Sequence, residues 1–209
     1  RPSKISAYKI RYLIEDIISI ADAYGIEQFH LIGHDWGSAI GWGLMASFPE
    51  RIKSFVAMSV PHLLAFGDAL KNDPEQYKRS YYMRLFQWPW LPEWRLSYNN
   101  YKVLHENCWM HSKAEQIQDY MRVLGNRAAL RASLHYYRAN YKDLIKGKSE
   151  LVLTNLSRPT LMIWGKKDPS VLRTGVEQTA QYMAGPYKLL ELDAGHWLVQ
   201  EAEEEVYAA

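Results

Sequence analysis

Residues 32–38 read Ile32-Gly33-His34-Asp35-Trp36-Gly37-Ser38, in which a nucleophile is flanked two positions away on each side by a small residue. An apolar run (Phe29, Leu31, Ile32) precedes this stretch and an amphipathic run from Ala39 to Phe48 follows it. The order is strand, sharp turn, helix, the setting of an elbow in which a strained turn lifts one side chain above a sheet. Gly33 and Gly37 suit a place where strand and helix nearly touch and a Cβ would clash. The lifted residue in such elbows is usually serine, but here it is Asp35. A serine that attacks a saturated carbon makes an ether, which water does not readily cleave. A carboxylate makes an ester, which activated water can hydrolyse. Asp35 therefore points to substitution at an sp3 carbon rather than acyl transfer.

Outward from the elbow, Ile10, Leu13, Ile14, Ile17, Ile18 and Ala21 recur at helical spacing, with Gly25 placed as a C-cap. A strand over 28–33 leads into the elbow, and the helix after it ends near Pro49. Short apolar strands are expected at 54–60, 157–164 and 187–192. Strands separated by helices imply a mostly parallel sheet with helices on both faces, an α/β fold. The 62–148 segment differs, holding 9 of the 15 tyrosines and 4 of the 8 tryptophans with no convincing strand. It reads as a helical cap inserted into a core formed by 1–61 and 149–209. An aromatic lid (Phe86, Trp88, Trp90, Trp109) makes an apolar, water-poor cavity, although most of the segment's aromatics are better read as the cap's own core.

Composition narrows the function classes. The 209 residues, 48% hydrophobic, suffice for a sizeable core. Basic and acidic residues (25 and 23, net charge +2) are spread along the chain, so no nucleic-acid partner is implied. Cys108 is the single cysteine, which excludes an internal disulfide and any cysteine-based metal site. Histidines 30, 34, 62, 105, 111 and 135 lack metal-ligand spacing and are read as structural, with the elbow expected to turn His34 away from the nucleophile. Neither a phosphate loop nor a dinucleotide fingerprint is present, so no metal or cofactor is expected. No apolar run approaches the roughly 18 residues of a bilayer span. A cytoplasmic location is favoured, and membrane association is expected only with an anchor upstream of Arg1.

Two further residues complete a constellation. Asp168 follows a strand in Ile163-Trp164-Gly165-Lys166-Lys167-Asp168, and His196 lies just past the last strand in Asp193-Ala194-Gly195-His196-Trp197. Singly, Asp168 could be a turn residue before Pro169 and His196 a capped loop histidine. Together, in the order nucleophile, acid, histidine at strand ends, they read as a base that activates water and the acid that orients it.

The chain resembles the epoxide hydrolases of the α/β-hydrolase fold. The matching stretches are Gly33-His34-Asp35-Trp36-Gly37, the run from Ser80 to Glu93 (SYYMRLFQWPWLPE), His135-Tyr136-Tyr137-Arg138, Trp164 to Asp168, and Gly195-His196-Trp197. It is most similar to the subgroup whose cap carries this Phe-Gln-x-Pro-Trp-x-Pro-Glu stretch, which includes membrane-anchored animal members. The resemblance implies a small apolar epoxide and water as partners, and a vicinal diol as product. It assigns Asp35, Asp168 and His196 to catalysis, and two cap tyrosines as hydrogen-bond donors to the epoxide oxygen. Tyr137 matches the position before arginine; the other is Tyr82, with Tyr81 as the alternative. The backbone N–H of Trp36 is implied as an oxyanion donor, and Trp36, Phe86 and Trp197 as pocket residues. The family pattern begins with several more strands and a His-Gly-x-Pro loop that supplies a second oxyanion donor. None of these precedes Arg1, so the sequence is expected to be a fragment with an open sheet edge. A haloalkane or haloacid dehalogenase shares the Asp-His-Asp set but would need halide-binding donors in place of phenols. A non-catalytic binding module needs none of the three residues.

Overall fold

The computed structural model describes residues 1–146, 151 and 153–209. Helix α1 (Ile10–Ala23), strand β1 (Phe29–His34), helix α2 (Trp36–Ser47) and strand β2 (Ile52–Met58) come first. Helices α3 (Leu63–Asn72), α4 (Pro74–Arg79), α5 (Tyr81–Leu85), α6 (Leu91–Asn107), α7 (Ala114–Leu124) and α8 (Arg127–Lys146) follow. Then come β3 (Thr160–Gly165), α9 (Arg173–Gln178), β4 (Tyr187–Leu192), α10 (Leu198–Glu201) and α11 (Glu203–Tyr207).

The four strands form one sheet in the order β1-β2-β3-β4, and every pairing is parallel. The inner strands read as nearly continuous apolar runs because a parallel sheet covered on both faces has no solvent side. Ile52, Phe55, Ala57, Met162 and Ile163 are all fully or almost fully buried. Among the described residues β1 pairs only with β2, and Ile32 on it is 67% exposed. Helix α1 buries Leu13, Ile14 and Ala21, and Gly25 ends it at φ +66 with the Ile26 N–H returning to the Ala21 carbonyl. Helix α2 departs from the amphipathic pattern expected of Ala39 to Phe48. It buries Ser38, Ala39 and every residue from Gly41 to Met45, as a helix sunk in a core does.

Two compact units divide the chain. Arg1–Lys9 joins Tyr81–Tyr141, and Ile10–Ser80 joins Lys142–Ala209. Helices α3 and α4, within the 62–148 segment, therefore group with the sheet: α3 packs on α9, and Thr174 Oγ1 donates to Asp73 at 2.7 Å. The boundary expected between 148 and 149 lies outside the described residues. The other unit is helical. Its core gathers Leu96, Tyr101, Trp109, Leu130 and Leu134. Helix α6 is interrupted where Asn99, Asn100 and Tyr101 take φ of 48, 51 and 60. The two asparagines tolerate this left-handed backbone better than most residues, because their short amides can bond locally.

Candidate active site

Asp35 occupies the single position between β1 and α2, with φ 53 and ψ −115. Such a backbone costs a non-glycine residue on the order of 1–3 kcal/mol and persists only where the surroundings over-determine it. Here the Asp35 N–H donates to the Met58 carbonyl of β2, and the Asp35 carbonyl accepts from Ala39 in α2. A Cβ on Gly33 would lie 2.4 Å from the Gly37 carbonyl oxygen, so only glycine allows strand and helix this close. The expectation for Gly37 fails: a Cβ there meets nothing within 4 Å. The close approach uses its backbone, not the space beside it. The turn leaves the Asp35 side chain 30% exposed, enough for a small molecule to reach.

Asp168 and His196 come from the ends of β3 and β4, so all three side chains rise from the carboxyl ends of parallel strands, where such sheets bind ligands. The Asp168 side chain is fully buried. Its Oδ1 accepts from the N–H groups of Ser170 and Val171 at 2.7 and 3.0 Å, and its Oδ2 meets His196 Nδ1 at 2.7 Å. The other ring nitrogen, Nε2, stands 3.1 Å from Asp35 Oδ1. Burial pulls the His196 imidazole down, but its hydrogen bonds and charge contacts with Asp168 and Asp35 outweigh that and push it up to about 10. Burial raises the Asp35 carboxyl, while His196 and the Trp36 N–H draw it below the usual carboxylate range. The imidazole thus stands between two carboxyl groups, one at each ring nitrogen, and its charged form is favoured.

Three residues near this group carry no local sequence signal. His34 does not turn away: its Nε2 lies 2.8 Å from the His196 carbonyl and its ring 5.1 Å from the His196 ring. The carbonyl can only accept, so the hydrogen of His34 sits on Nε2. Burial and then the charge of His196 push its imidazole down, which keeps it neutral. Ser59, at φ +66 just past β2, donates its hydroxyl to the same carbonyl at 2.7 Å. Gln76 of α4 is fully buried; its amide donates to the Ser170 carbonyl and accepts from Leu172 N, fixing the loop that holds Asp168. The Trp197 ring packs 5.3 Å from His34 and 5.5 Å from His196.

Within the helical unit, Tyr82, Phe86 and Tyr137 form one half-buried aromatic cluster with edge-on contacts. The Tyr82 and Tyr137 ring centres are 5.9 Å apart. Tyr81 is 55% exposed, with the Arg84 guanidinium over its ring, and is not in this cluster. Arg138, next to Tyr137, donates to the carbonyls of Phe86 and Trp88 and makes a two-pronged ion pair with Glu93 at 2.8 and 3.0 Å. Of the other aromatics expected to line a cavity, Trp88 and Trp90 are exposed, while Trp109 is buried in the unit's own core. Of those four, Phe86 is the one whose ring meets both tyrosines. Among the described residues no cluster of three His, Cys, Asp or Glu could hold a metal ion, and no helix is long and apolar enough to cross a membrane.

A family model described as the alpha/beta hydrolase fold matches residues 1–203. Epoxide hydrolase 4 of Homo sapiens is 33% identical over 205 residues, covering 93% of this chain and 55% of that protein. The chain thus spans little more than half the length of the curated relatives it matches first, 55–58%. The crystal structure of Bacillus megaterium epoxide hydrolase with an inhibitor superposes over 100% of this chain and 76% of its own, at TM-score 0.90 and 27% identity. A variant of that enzyme, complexed with its product, a naphthyloxy-propane-1,2-diol, matches at TM-score 0.89, 27% identity and the same coverage.

Proposed function

The chain belongs to the α/β-hydrolase fold family, and from that premise we propose that it opens epoxides to vicinal diols through an ester on Asp35. The observation that carries this reading is a carboxylate at the elbow, with His196 Nε2 3.1 Å from its Oδ1 and Asp168 behind the imidazole. In the first step an Asp35 oxygen attacks an epoxide carbon and the carbon–oxygen bond breaks. The departing oxygen is a poor alkoxide leaving group, and a phenol with a pKa near 10 can protonate it. That role falls to Tyr137 and Tyr82, supported by their pairing in one cluster. The segment 62–148 that carries them is assigned the part of a cap. The aryl ether diol of the Bacillus megaterium complex supports an apolar, aromatic-bearing substrate class.

Charge then decides the order of events. An imidazolium cannot accept a proton, so resting His196 is not yet a base. Esterification removes the charge of Asp35, one of the two carboxylates that hold the imidazole up. Its proton is then released to replace the one the phenol gave up. The neutral ring takes a proton from water, and hydroxide attacks the ester carbonyl carbon. The Trp36 N–H, already directed at the Asp35 carboxyl, stabilises the oxyanion. Collapse expels the product oxygen, which takes the proton held by His196, and the acid left on Asp35 returns its proton to His196, so that the diol leaves, the carboxylate is restored and one water has been added to one epoxide.

The test is intact-protein mass spectrometry of the full-length protein carrying His196→Gln, incubated with styrene oxide. The expected result is a mass gain of one epoxide on Asp35, with diol formation slowed by on the order of 100- to 10,000-fold. Adducts from alkyl halides but not epoxides would move the reading to dehalogenation, and no adduct from either would remove the enzymatic reading.

A further inference from the structure

We infer that Glu201, with Ser59 and His34, positions the backbone of His196 and thereby serves the hydrolysis half of the reaction. The inference rests on the reading of Asp35 as nucleophile and His196 as base. Glu201 ends the short helix α10, and its carboxylate reaches back over the loop. Oε2 accepts from Gly195 N–H at 2.7 Å and Oε1 from Trp197 N–H at 3.1 Å. One carboxylate therefore holds the N–H groups of the residues on either side of His196. From the sheet, Ser59 Oγ and His34 Nε2 donate to the His196 carbonyl at 2.7 and 2.8 Å. A Cβ on Gly195 would lie 2.9 Å from both Glu201 oxygens, so glycine lets the carboxylate come this close. The Ala194–Gly195 and His196–Trp197 peptide groups are thus tied by Glu201, Ser59 and His34, and the imidazole is left for chemistry.

The tie matters unequally for the two steps. Alkylation needs Asp35, which the β1–α2 turn fixes without the 193–197 loop. Hydrolysis needs His196 Nε2 aimed at a water above the ester, and a misplacement of about 1 Å can cost on the order of 100-fold. Loosening the loop should therefore slow the second step alone. The ester then accumulates, and kcat and KM fall together while kcat/KM, which reports alkylation, holds.

The experiment compares Glu201→Ala, Glu201→Gln and Ser59→Ala with the unchanged full-length protein and with His196→Gln. Steady-state kinetics on styrene oxide is combined with rapid-quench mass spectrometry. Glu201→Ala leaves both N–H groups without their acceptor, and a fall of roughly 10- to 100-fold in kcat with a parallel fall in KM is expected. Glu201→Gln keeps one acceptor oxygen and should fall between. Ser59→Ala keeps the His34 donor, should lose a few-fold, and carries the test if Glu201→Ala does not fold. Asp35 ester should be visible in each. Equal losses in kcat and kcat/KM without ester, or no change in kcat, would overturn the positioning role while diol formation by the unchanged protein and ester on His196→Gln still stood. Absence of both of those would instead overturn the reading beneath it.

Discussion

The strand-end residues and the aromatic cluster of the helical unit hold their functional candidates by different means. Asp168, His196 and Asp35 are fixed largely by bonds to backbone: the amides of Ser170 and Val171, the His196 carbonyl, and a bond from Asp35 to β2. Sheet register sets these positions, and each group has more than one tie. Tyr137 and Tyr82 instead meet Phe86 ring to ring, and the side chain of the neighbouring Arg138 joins the Phe86 and Trp88 carbonyls to Glu93. The first arrangement spreads its constraints widely; the second concentrates them in one buried ion pair.

Single substitutions in each region should expose this difference most strongly. Arg138 and Glu93 side chains are only 9% and 6% exposed. Arg138→Met strands the Glu93 carboxylate and two carbonyls, for an expected loss of about 3–5 kcal/mol. Arg131, 3.7 Å from Glu93 but 60% exposed, should compensate little. Glu93→Gln in the same protein should recover much of the loss. Ser59→Ala removes one of two donors to a carbonyl that keeps the other, and should cost about 0.5–1.5 kcal/mol. Denaturant midpoints of the two variants check both figures; equal costs would break the contrast.

A smaller effect should separate the two phenols. If both donate to the departing oxygen, Tyr137→Phe and Tyr82→Phe each leave one donor, and each should lower kcat/KM by roughly 10- to 100-fold. The double variant should approach the full loss of acid catalysis, on the order of 100- to 10,000-fold. Tyr81→Phe, whose ring is exposed under Arg84, should change kcat/KM less than two-fold. A Tyr81 effect equal to that of Tyr82 would detach oxygen activation from the aromatic cluster.

The sheet and its elbow were legible because their signals are local. Period, turn residues and the Gly33-x-Asp35 spacing lie within a dozen positions, and the inner strands announce themselves by nearly continuous apolar runs. The order Asp35, Asp168, His196 was legible because parallel strands bring their carboxyl ends to one edge. What failed was local reasoning about long-range contacts. Turn geometry alone points His34 away from the site, whereas its partner lies 162 positions later. Ser59 and Gln76 likewise act across separations of 137 and 94 positions. Residue type did not decide the tryptophans either. Trp88, Trp90 and Trp109 look alike in the sequence, yet two face solvent and one is core: all three lie outside helix α6, the first two before it and the third after it, where no helical period sets their facing.

The finest distinction between the regions is a pH effect. His196 carries a raised pKa of about 10 against an ordinary 6.5, so its charged form is favoured in the folded state. That contribution is complete below 6.5 and is lost as pH rises through about 10. Glu93 in the helical unit is held below its ordinary value by Arg138 despite burial, so it stays ionised throughout that window. Between pH 7 and 10 the His196 share of any stability loss therefore belongs to the strand-end residues. The expected outcome is a denaturation midpoint that declines over this interval in the unchanged protein and declines less in His196→Gln. Arg138→Met should shift the whole curve down without altering its alkaline slope. If His196→Gln leaves that slope unchanged, the imidazolium between Asp35 and Asp168 is not the resting state, and the sequence of charges that makes Asp35 the first actor and His196 the second must be redrawn.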